Sequence, residues 1–237
     1  MVGWNDAGLE FVVRPALCSV PLCSVGLAMS HFDDKARAWD VNPVFQERAH
    51  RIAEAIAAEV PLHTGMTVLD YGCGTGLLSF PLRGRLGPMT LADSSAGMLA
   101  VLEEKIVAHE AEAEMQACRL DLMTDPLPAQ RFDLIYTSMT LHHVPDTARI
   151  LALFQTLLKP GGYLCIADLD AEDGSFHGIE YDVHHGFDRT ALAGLAQAAG
   201  LEAMRFRTVF EIVKDSALGP RAYPVFLLTT QKPASAT

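Results

Sequence analysis

The sequence predicts an α/β fold: a doubly wound, parallel sheet with helices on both faces. Three observations predict it. Strand-like and helix-like segments alternate between residues 66 and 168, the pattern of βαβ units. The first strand runs straight into a glycine-rich turn, Gly72-Cys73-Gly74-Thr75-Gly76. Ligands of doubly wound sheets bind beside such turns, at the carboxyl ends of the strands. Acidic residues also close the next two strands, Asp93 after the second and Asp121 after the third.

Taken in order, residues 1–30 read as a flexible leader or a misassigned start. Arg14 precedes a short apolar stretch, but Asp6 and Glu10 stand where a signal peptide carries positive charge, and Met29 offers a second start. Residues 42–59 carry a helical pattern. Asn42 can cap, Pro43 suits the first turn, and Phe45, Ala49, Ile52 and Ile56 share one face. Residues 66–71 are the first strand, and a helix should begin within the glycine-rich turn that follows. Residues 89–93 form the second strand and 96–110 the next helix. Residues 117–122 are a weaker third strand and Phe132–Ser138 a strong fourth. Asp146 caps a helix whose Ile150, Leu151, Phe154, Leu157 and Leu158 face one side. Lys159-Pro160-Gly161-Gly162 stops it and leads into a fifth strand, 163–168. A further helix follows Asp188 and ends at Gly200. Two longer strands, 201–213 and 223–231, are joined by a turn-rich link at 215–220, so they should pair antiparallel. No repeat or low-complexity linker divides the chain, so residues 31–237 form one domain, with 31–60 as an N-terminal helical cap.

Composition narrows the function. Half of the 237 residues are apolar and one fifth are charged, a globular balance with a sizeable core. Lys and Arg number 18 against 29 Asp and Glu, a net charge of −11, and the basic residues are scattered. Nucleic acid is therefore not an expected partner. The longest uncharged run, 15–32, holds Pro15, Pro21, three serines and His31, which suits a bilayer core badly. The five cysteines, Cys18, Cys23, Cys73, Cys118 and Cys165, are odd in number and form no C-x-x-C pair. A disulfide scaffold or structural zinc site is not expected, and a cytoplasmic setting is.

The glycine-rich turn is the centre of the functional reading. Glycines there let the backbone approach a ligand and take positive φ. The spacing is G-x-G-x-G, with Leu77 where a dinucleotide fingerprint places its third glycine. Asp70 stands two residues before Gly72; its charge repels a pyrophosphate and suits a ligand carrying an ammonium group. Asp93 can accept two ribose hydroxyls, or serve as an exposed helix cap alongside Ser94 or Ser95. Asp121 can accept from an adenine amino group while Leu122 donates its backbone N–H, or it is a solvated loop acid.

Together V-L-D-Y-G-C-G-T-G, L-A-D-S-S-A-G-M-L, R-L-D-L, F-D-L-I-Y-T-S-M-T-L-H-H-V-P-D and L-L-K-P-G-G-Y-L, in this order over residues 66–168, resemble a class I S-adenosylmethionine-dependent methyltransferase. The resemblance implies a Rossmann-like, seven-stranded sheet, mostly parallel with the last strand antiparallel. It implies S-adenosyl-L-methionine as cofactor and S-adenosyl-L-homocysteine as product. Cofactor contacts carry over to Gly72, Cys73, Gly74, Gly76, Asp93, Ser94, Asp121, Leu122, Thr137 and Ser138. Asp70 would order the turn or reach the methionine ammonium, and Met98 would lie near the adenine or in the core. Residues 61–170 become the cofactor-binding core, and 171–237 the substrate-side segment with the closing strands.

Methyl transfer from a sulfonium is an in-line displacement, in which alignment and exclusion of water matter most. No single catalytic residue is demanded. Candidates at the substrate side are His142 and His143 after the fourth strand, and Asp168 and Asp170 after the fifth. His177 or His185 could serve as base. His177, Glu180 and His184 fall at i, i+3 and i+7, but such a helix face is more simply solvated, and no metal is expected. Phe32, Trp39 and Phe45 could form a lid or pack on the sheet. The fourth strand ends Thr137-Ser138-Met139-Thr140, without the Asp/Asn-Pro-Pro-aromatic signature resembling nucleic-acid and glutamine amino-methyltransferases. A small-molecule acceptor is expected, and a monomer or homodimer. Two other functions stay open: a non-catalytic cofactor-binding regulator or partner subunit, and an NAD-dependent oxidoreductase. Against the latter stand the displaced third glycine, Asp70 and the lack of a Tyr-x-x-x-Lys pair.

Overall fold

The computed structural model describes residues 32–177, 183–216 and 219–234. The leader and alternative start at Met29 lie outside the described residues, as do Cys18, Cys23 and Glu180.

Seven strands form one sheet: β1 Val68–Tyr71, β2 Met89–Asp93, β3 Met115–Arg119, β4 Phe132–Ser138, β5 Leu158–Leu169, β6 Glu202–Ser216 and β7 Gly219–Gln231. Their order is β3-β2-β1-β4-β5-β7-β6. Strands β1 to β5 run parallel, and β7 lies antiparallel between β5 and β6. The helices are α1 Ala36–Trp39, α2 Pro43–Glu59, α3 Ala96–Ala108, α4 Thr147–Leu157 and α5 Arg189–Ala198. The doubly wound sheet with one antiparallel strand is thus as the sequence predicts.

The sheet separates two apolar layers. On one face Ile52 and Ile56 of α2 and Leu99, Leu102 and Ile106 of α3 pack over Val68, Leu91 and Leu134. On the other, Ile150 and Phe154 of α4 and Leu192 and Ala196 of α5 pack over Leu69, Ile135 and Ile166. Alternate residues of one strand thus serve opposite layers, as pleating requires. The starts of α2 and α4 are capped as the sequence suggests: Asn42 and Asp146 accept from the backbone N–H of Val44 and Arg149. Asp188, just before α5, caps it likewise by accepting from Ala191 N.

Four boundaries differ most. The closing strands run on to Ser216 and start again at Gly219, so pairing takes up most of the 215–220 stretch read as a turn-rich link, and β7 begins four residues before 223. No α-helix follows the glycine-rich turn; residues 72–79 are turns, ending in a short 3-10 helix at Phe80–Leu82. Pro81 has no N–H to give, and glycines crowd both sides, so a full helix does not propagate. The third strand is 115–119 rather than 117–122, because Asp121 closes an Asx turn on Met123 N at 2.9 Å. The fifth strand already begins at Leu158, which pairs with Phe132 before a register irregularity at the Pro160–Gly162 stretch.

Candidate active site

The sheet order reverses between β1 and β4, and the carboxyl ends of these strands define the ligand crevice of a doubly wound fold. After β1, Gly72, Gly74 and Gly76 take φ of 71°, 53° and 80°. Gly72 is under the tightest constraint: an added Cβ would lie 2.3 Å from Thr140 Cγ2. Thr140 Oγ1 donates to Gly72 O at 3.2 Å. Met139, at φ 55°, occupies the left-handed region and bends the chain after β4 so that Thr140 reaches Gly72. The two turns therefore hold each other across the switch point.

Asp70 is buried beneath this turn. It accepts from Ser79 Oγ at 2.7 Å, and Ser79 Oγ lies 2.6 Å from the Tyr136 hydroxyl. Burial pushes the Asp70 carboxyl up to about 7, against the pull of Ser79. Of the two roles the resemblance implies for Asp70, this geometry is that of ordering the turn. Asp93 works from the other side. Its Oδ2 accepts from Gly74 N and its Oδ1 from Ser95 N, both at 2.8 Å. Burial raises the Asp93 carboxyl, and the backbone donors hold it back. The cap of α3 is Ser95, whose hydroxyl accepts from Met98 N at 3.1 Å; Ser94 is exposed. Met98 is buried, with its Sδ 3.9 Å from where a Gly74 Cβ would stand. Cys73 is buried too, and burial pushes its thiol well up, so it is a small apolar wall.

Leu122 departs from the sequence reading. It is buried, and its N–H is directed at the Tyr71 hydroxyl at 3.3 Å rather than at open space. Asp121 is half-buried and spends Oδ1 on Met123 N. Thr137 is buried at the end of β4 with no hydrogen-bond partner for Oγ1 among the described residues, and Ser138 beside it is half-buried.

The N-terminal cap is joined to this site by residues the sequence reading missed. Asp33 Oδ1 accepts from Ser95 Oγ at 2.5 Å and from Gly97 N at 2.9 Å, at the positive end of α3. Asp40 accepts from Thr75 Oγ1 and from Lys105 Nζ, and Lys105 also donates to Thr75 O at 2.7 Å. These partners are 30 to 65 residues apart in sequence, so no local pattern announces them. Phe32, Trp39 and Phe45 stack in series, and Phe32 meets the His143 ring edge-on at 5.3 Å. The aromatic cluster thus bridges the cap to the chain after β4.

The substrate-side residues divide into two groups. His142, His143 and His177 converge, with ring centroids 4.1 to 5.5 Å apart. Asp168 and Asp170 are both engaged by partners within the chain. Asp168 is fully buried; Oδ1 accepts from His142 Nδ1 at 2.7 Å and from Leu169 N at 2.8 Å, and Oδ2 from His142 N at 3.2 Å. It is a positioning residue for His142. Asp170 forms a two-armed pair with Arg189, 2.7 Å on each arm, which fixes the start of α5. Burial, with the nearby His142 and Lys214, lowers His177 to about 4, so its ring is neutral at neutral pH. His185 is exposed and stands against Gly174, where an added Cβ would meet its ring at 2.8 Å. His184 Nε2 lies 3.0 Å from Val144 O, which commits it outside the imidazole group. Arg48 of α2 is buried, which lowers its pKa to about 10 against the attraction of Asp168.

Comparison with known proteins places the chain in a family. The family model described as a methyltransferase domain matches residues 44–205, more than half of the chain. An uncharacterised methyltransferase of Schizosaccharomyces pombe is 32% identical over 155 residues, 62% of this chain and 52% of that protein. The chain thus spans about half the length of the first curated relatives it matches. A ubiquinone/menaquinone biosynthesis C-methyltransferase of Cellvibrio japonicus is 29% identical over 158 residues, 65% of this chain and 64% of that protein. Among solved structures, phosphoethanolamine N-methyltransferase 2 of Haemonchus contortus, in complex with S-adenosyl-L-methionine, aligns with a TM-score of 0.65 at 17% identity. That alignment covers 87% of this chain and 61% of the other, and at such identity it speaks to the fold alone. No helix among the described residues is long and apolar enough to cross a membrane. By its fold, its glycine-rich turn and the match of the family model, the chain belongs to the methyltransferase domain family.

Proposed function

We propose that this chain transfers a methyl group from S-adenosylmethionine to a small-molecule acceptor by in-line displacement. The observation that carries the reading is the glycine-rich turn at the switch point, braced by Asp70 and Asp93, in a chain of this family. The residues fit such a cofactor. Gly74 lets a ligand come close to the backbone: a Cβ there would meet Met98 Sδ at 3.9 Å, an ordinary contact and not a clash. Each Asp93 oxygen accepts one backbone N–H and keeps a lone pair for a ribose hydroxyl. The buried Thr137 hydroxyl is a polar atom awaiting a ligand partner at the strand end. When bound, the cofactor supplies an electrophilic methyl group on a sulfonium, already a good leaving group.

The chain's own share is binding, orientation and exclusion of water. Asp93 and the turn after β1 hold the nucleoside end. Phe32, in contact with Trp39 and with His143 after β4, is placed to fold over the cofactor from the cap side and shield it from solvent. His177, neutral and beside the crevice, can accept a proton from an acceptor that must lose one, with His185 as the exposed alternative. The small-molecule class is supported by the net charge of −11, the scattered basic residues and the printed function of the Cellvibrio relative.

Titration calorimetry with S-adenosylmethionine, S-adenosylhomocysteine and NAD tests the reading. Micromolar binding of the first two and none of NAD is expected. Binding of NAD alone would overturn it in favour of an oxidoreductase. Binding without turnover across a panel of small hydroxyl, thiol and amine acceptors would favour the non-catalytic regulator.

A further inference from the structure

We propose that His142, His143 and His177 form a three-histidine site for a divalent transition-metal ion of the zinc type, with Asp168 as its outer-shell anchor. The donor atoms of the three side chains lie within 4.8 Å of one another. Tetrahedral ligands at about 2.0–2.1 Å from zinc stand roughly 3.4 Å apart, so a small closure of the three rings completes the shell. His142 gives the second, independent observation. It is 1% exposed, its Nδ1 is engaged by Asp168 at 2.7 Å, and its Nε2 is buried with no hydrogen-bond partner among the described residues. A buried imidazole nitrogen without a partner is costly unless something completes it. The Nδ1–H to carboxylate bond fixes the tautomer that leaves the Nε2 lone pair bare, the arrangement of a carboxylate–histidine–metal triad.

The donor set selects the ion. Three imidazoles without a ligating carboxylate or thiolate suit zinc, copper or nickel and not magnesium or calcium. The buried Asp168 carboxyl lies directly behind His142, where its negative charge favours the ion. The site differs from the i, i+3, i+7 spacing of His177, Glu180 and His184: only His177 is shared, and His184 Nε2 is committed to Val144 O. It is assembled from two loops at the carboxyl end of the sheet, 34 positions apart between His143 and His177.

Three protein ligands leave one position of a tetrahedral shell open. On the methyl-transfer reading, on which this step rests, that position takes the oxygen or sulfur of the acceptor. With His177 on the ion, the ion would take over from its imidazole as the promoter of deprotonation: it would lower the pKa of a hydroxyl or thiol bound there, and the proton would leave to solvent. The acceptor class singled out is thus a small alcohol, phenol or thiol.

The test uses the full, tag-free chain, stripped with a chelator and titrated with zinc by calorimetry, with cobalt absorption in parallel. One zinc per chain and visible cobalt bands of a nitrogen-rich, four-coordinate site are expected. His143→Gln and His177→Gln should each weaken zinc binding by about 100-fold or more, and Asp168→Asn by about 10–100-fold, the range for outer-shell partners. His143 and His177 are only partly buried, so these variants keep the test valid if the buried His142→Ala fails to fold. Absence of stoichiometric zinc in the wild type, or undiminished binding in a folded His143→Gln, His177→Gln double variant, would overturn the proposal. S-adenosylmethionine affinity measured on the same samples keeps the two readings apart. Zinc without the cofactor sinks only the methyl-transfer reading, and the cofactor without zinc sinks only the metal site.

Discussion

Asp93 shows how much one side chain at a strand end can organise. Its two oxygens hold Gly74 N and Ser95 N, joining the glycine-rich turn to the start of α3. On the proposed reading the same carboxylate also receives the ribose. Asp93→Ala should therefore weaken S-adenosylmethionine binding by about 1.5–3 kcal/mol, the scale of hydrogen bonds to a charged group. It should also lower the melting temperature, because two buried-side N–H donors lose their acceptor. Calorimetry and thermal melts on one sample separate these effects; a lowered melting point with unchanged affinity would leave Asp93 a purely structural brace. Gly72 is the companion case. Its φ of 71° and the 2.3 Å approach of Thr140 Cγ2 leave no room for a Cβ. Gly72→Ala should cost on the order of 1–3 kcal/mol from backbone strain alone, read as a lower denaturant midpoint. Thr140→Gly in the same chain should recover part of that loss by removing the clash but not the strain. No recovery would show that Thr140 moves aside unaided.

Among the elements, the cap over 32–59 has the largest consequence for the site. Its α2 is anchored on β6 by Arg205 and Glu59 at 3.0 Å and by an apolar face on the sheet. The preceding stretch, including the four-residue α1, is held instead by Asp33 on α3 and Asp40 on Thr75 and Lys105. So short a helix has no stability of its own, and polar contacts decide whether it stays on the site. Asp40→Ala should release it. The Asp40–Lys105 pair is partly solvated, so the global stability change should be about 1 kcal/mol or less. Hydrogen exchange over residues 36–42 should nevertheless rise markedly, and S-adenosylmethionine should dissociate faster, because local opening needs only these contacts. Unchanged exchange in the variant would show that the aromatic stack of Phe32, Trp39 and Phe45 is sufficient to hold the segment.

Over the whole molecule, what was legible in the sequence was whatever periodicity and local chemistry control. The strands of the parallel sheet, the caps at Asn42 and Asp146, and the antiparallel closing pair follow from short-range patterns. The glycine-rich turn was legible for the same reason, while the helix expected after it was not formed, since Pro81 and the glycines oppose it. Contacts made only by the fold were hidden: Asp33 and Asp40 on the turn, Ser79 beneath Asp70, and the meeting of His142 and His143 with His177. Asp70 ties the two levels together, because its motif position was plain but its burial was not. Burial holds its carboxyl up to about 7, against an ordinary value near 4. The sign of the linkage follows. Below about pH 4 both folded and unfolded chains carry the proton, and Asp70 costs nothing. Between about pH 4 and 7 the folded chain binds a proton that the unfolded chain has released, so stability falls as pH rises and the loss is complete above about 7. At 1.36 kcal/mol per unit the full loss is on the order of 4 kcal/mol. Asp70→Asn removes the titration while keeping an oxygen to accept from Ser79 Oγ. The variant should therefore match the wild type near pH 4 and melt several degrees higher at pH 8. Parallel melts across that range, read as the difference between the two chains, cancel every other titrating group. A difference curve that stays flat would mean that Asp70 is ionised in the folded chain throughout, with water or a bound cation reaching it beneath the turn.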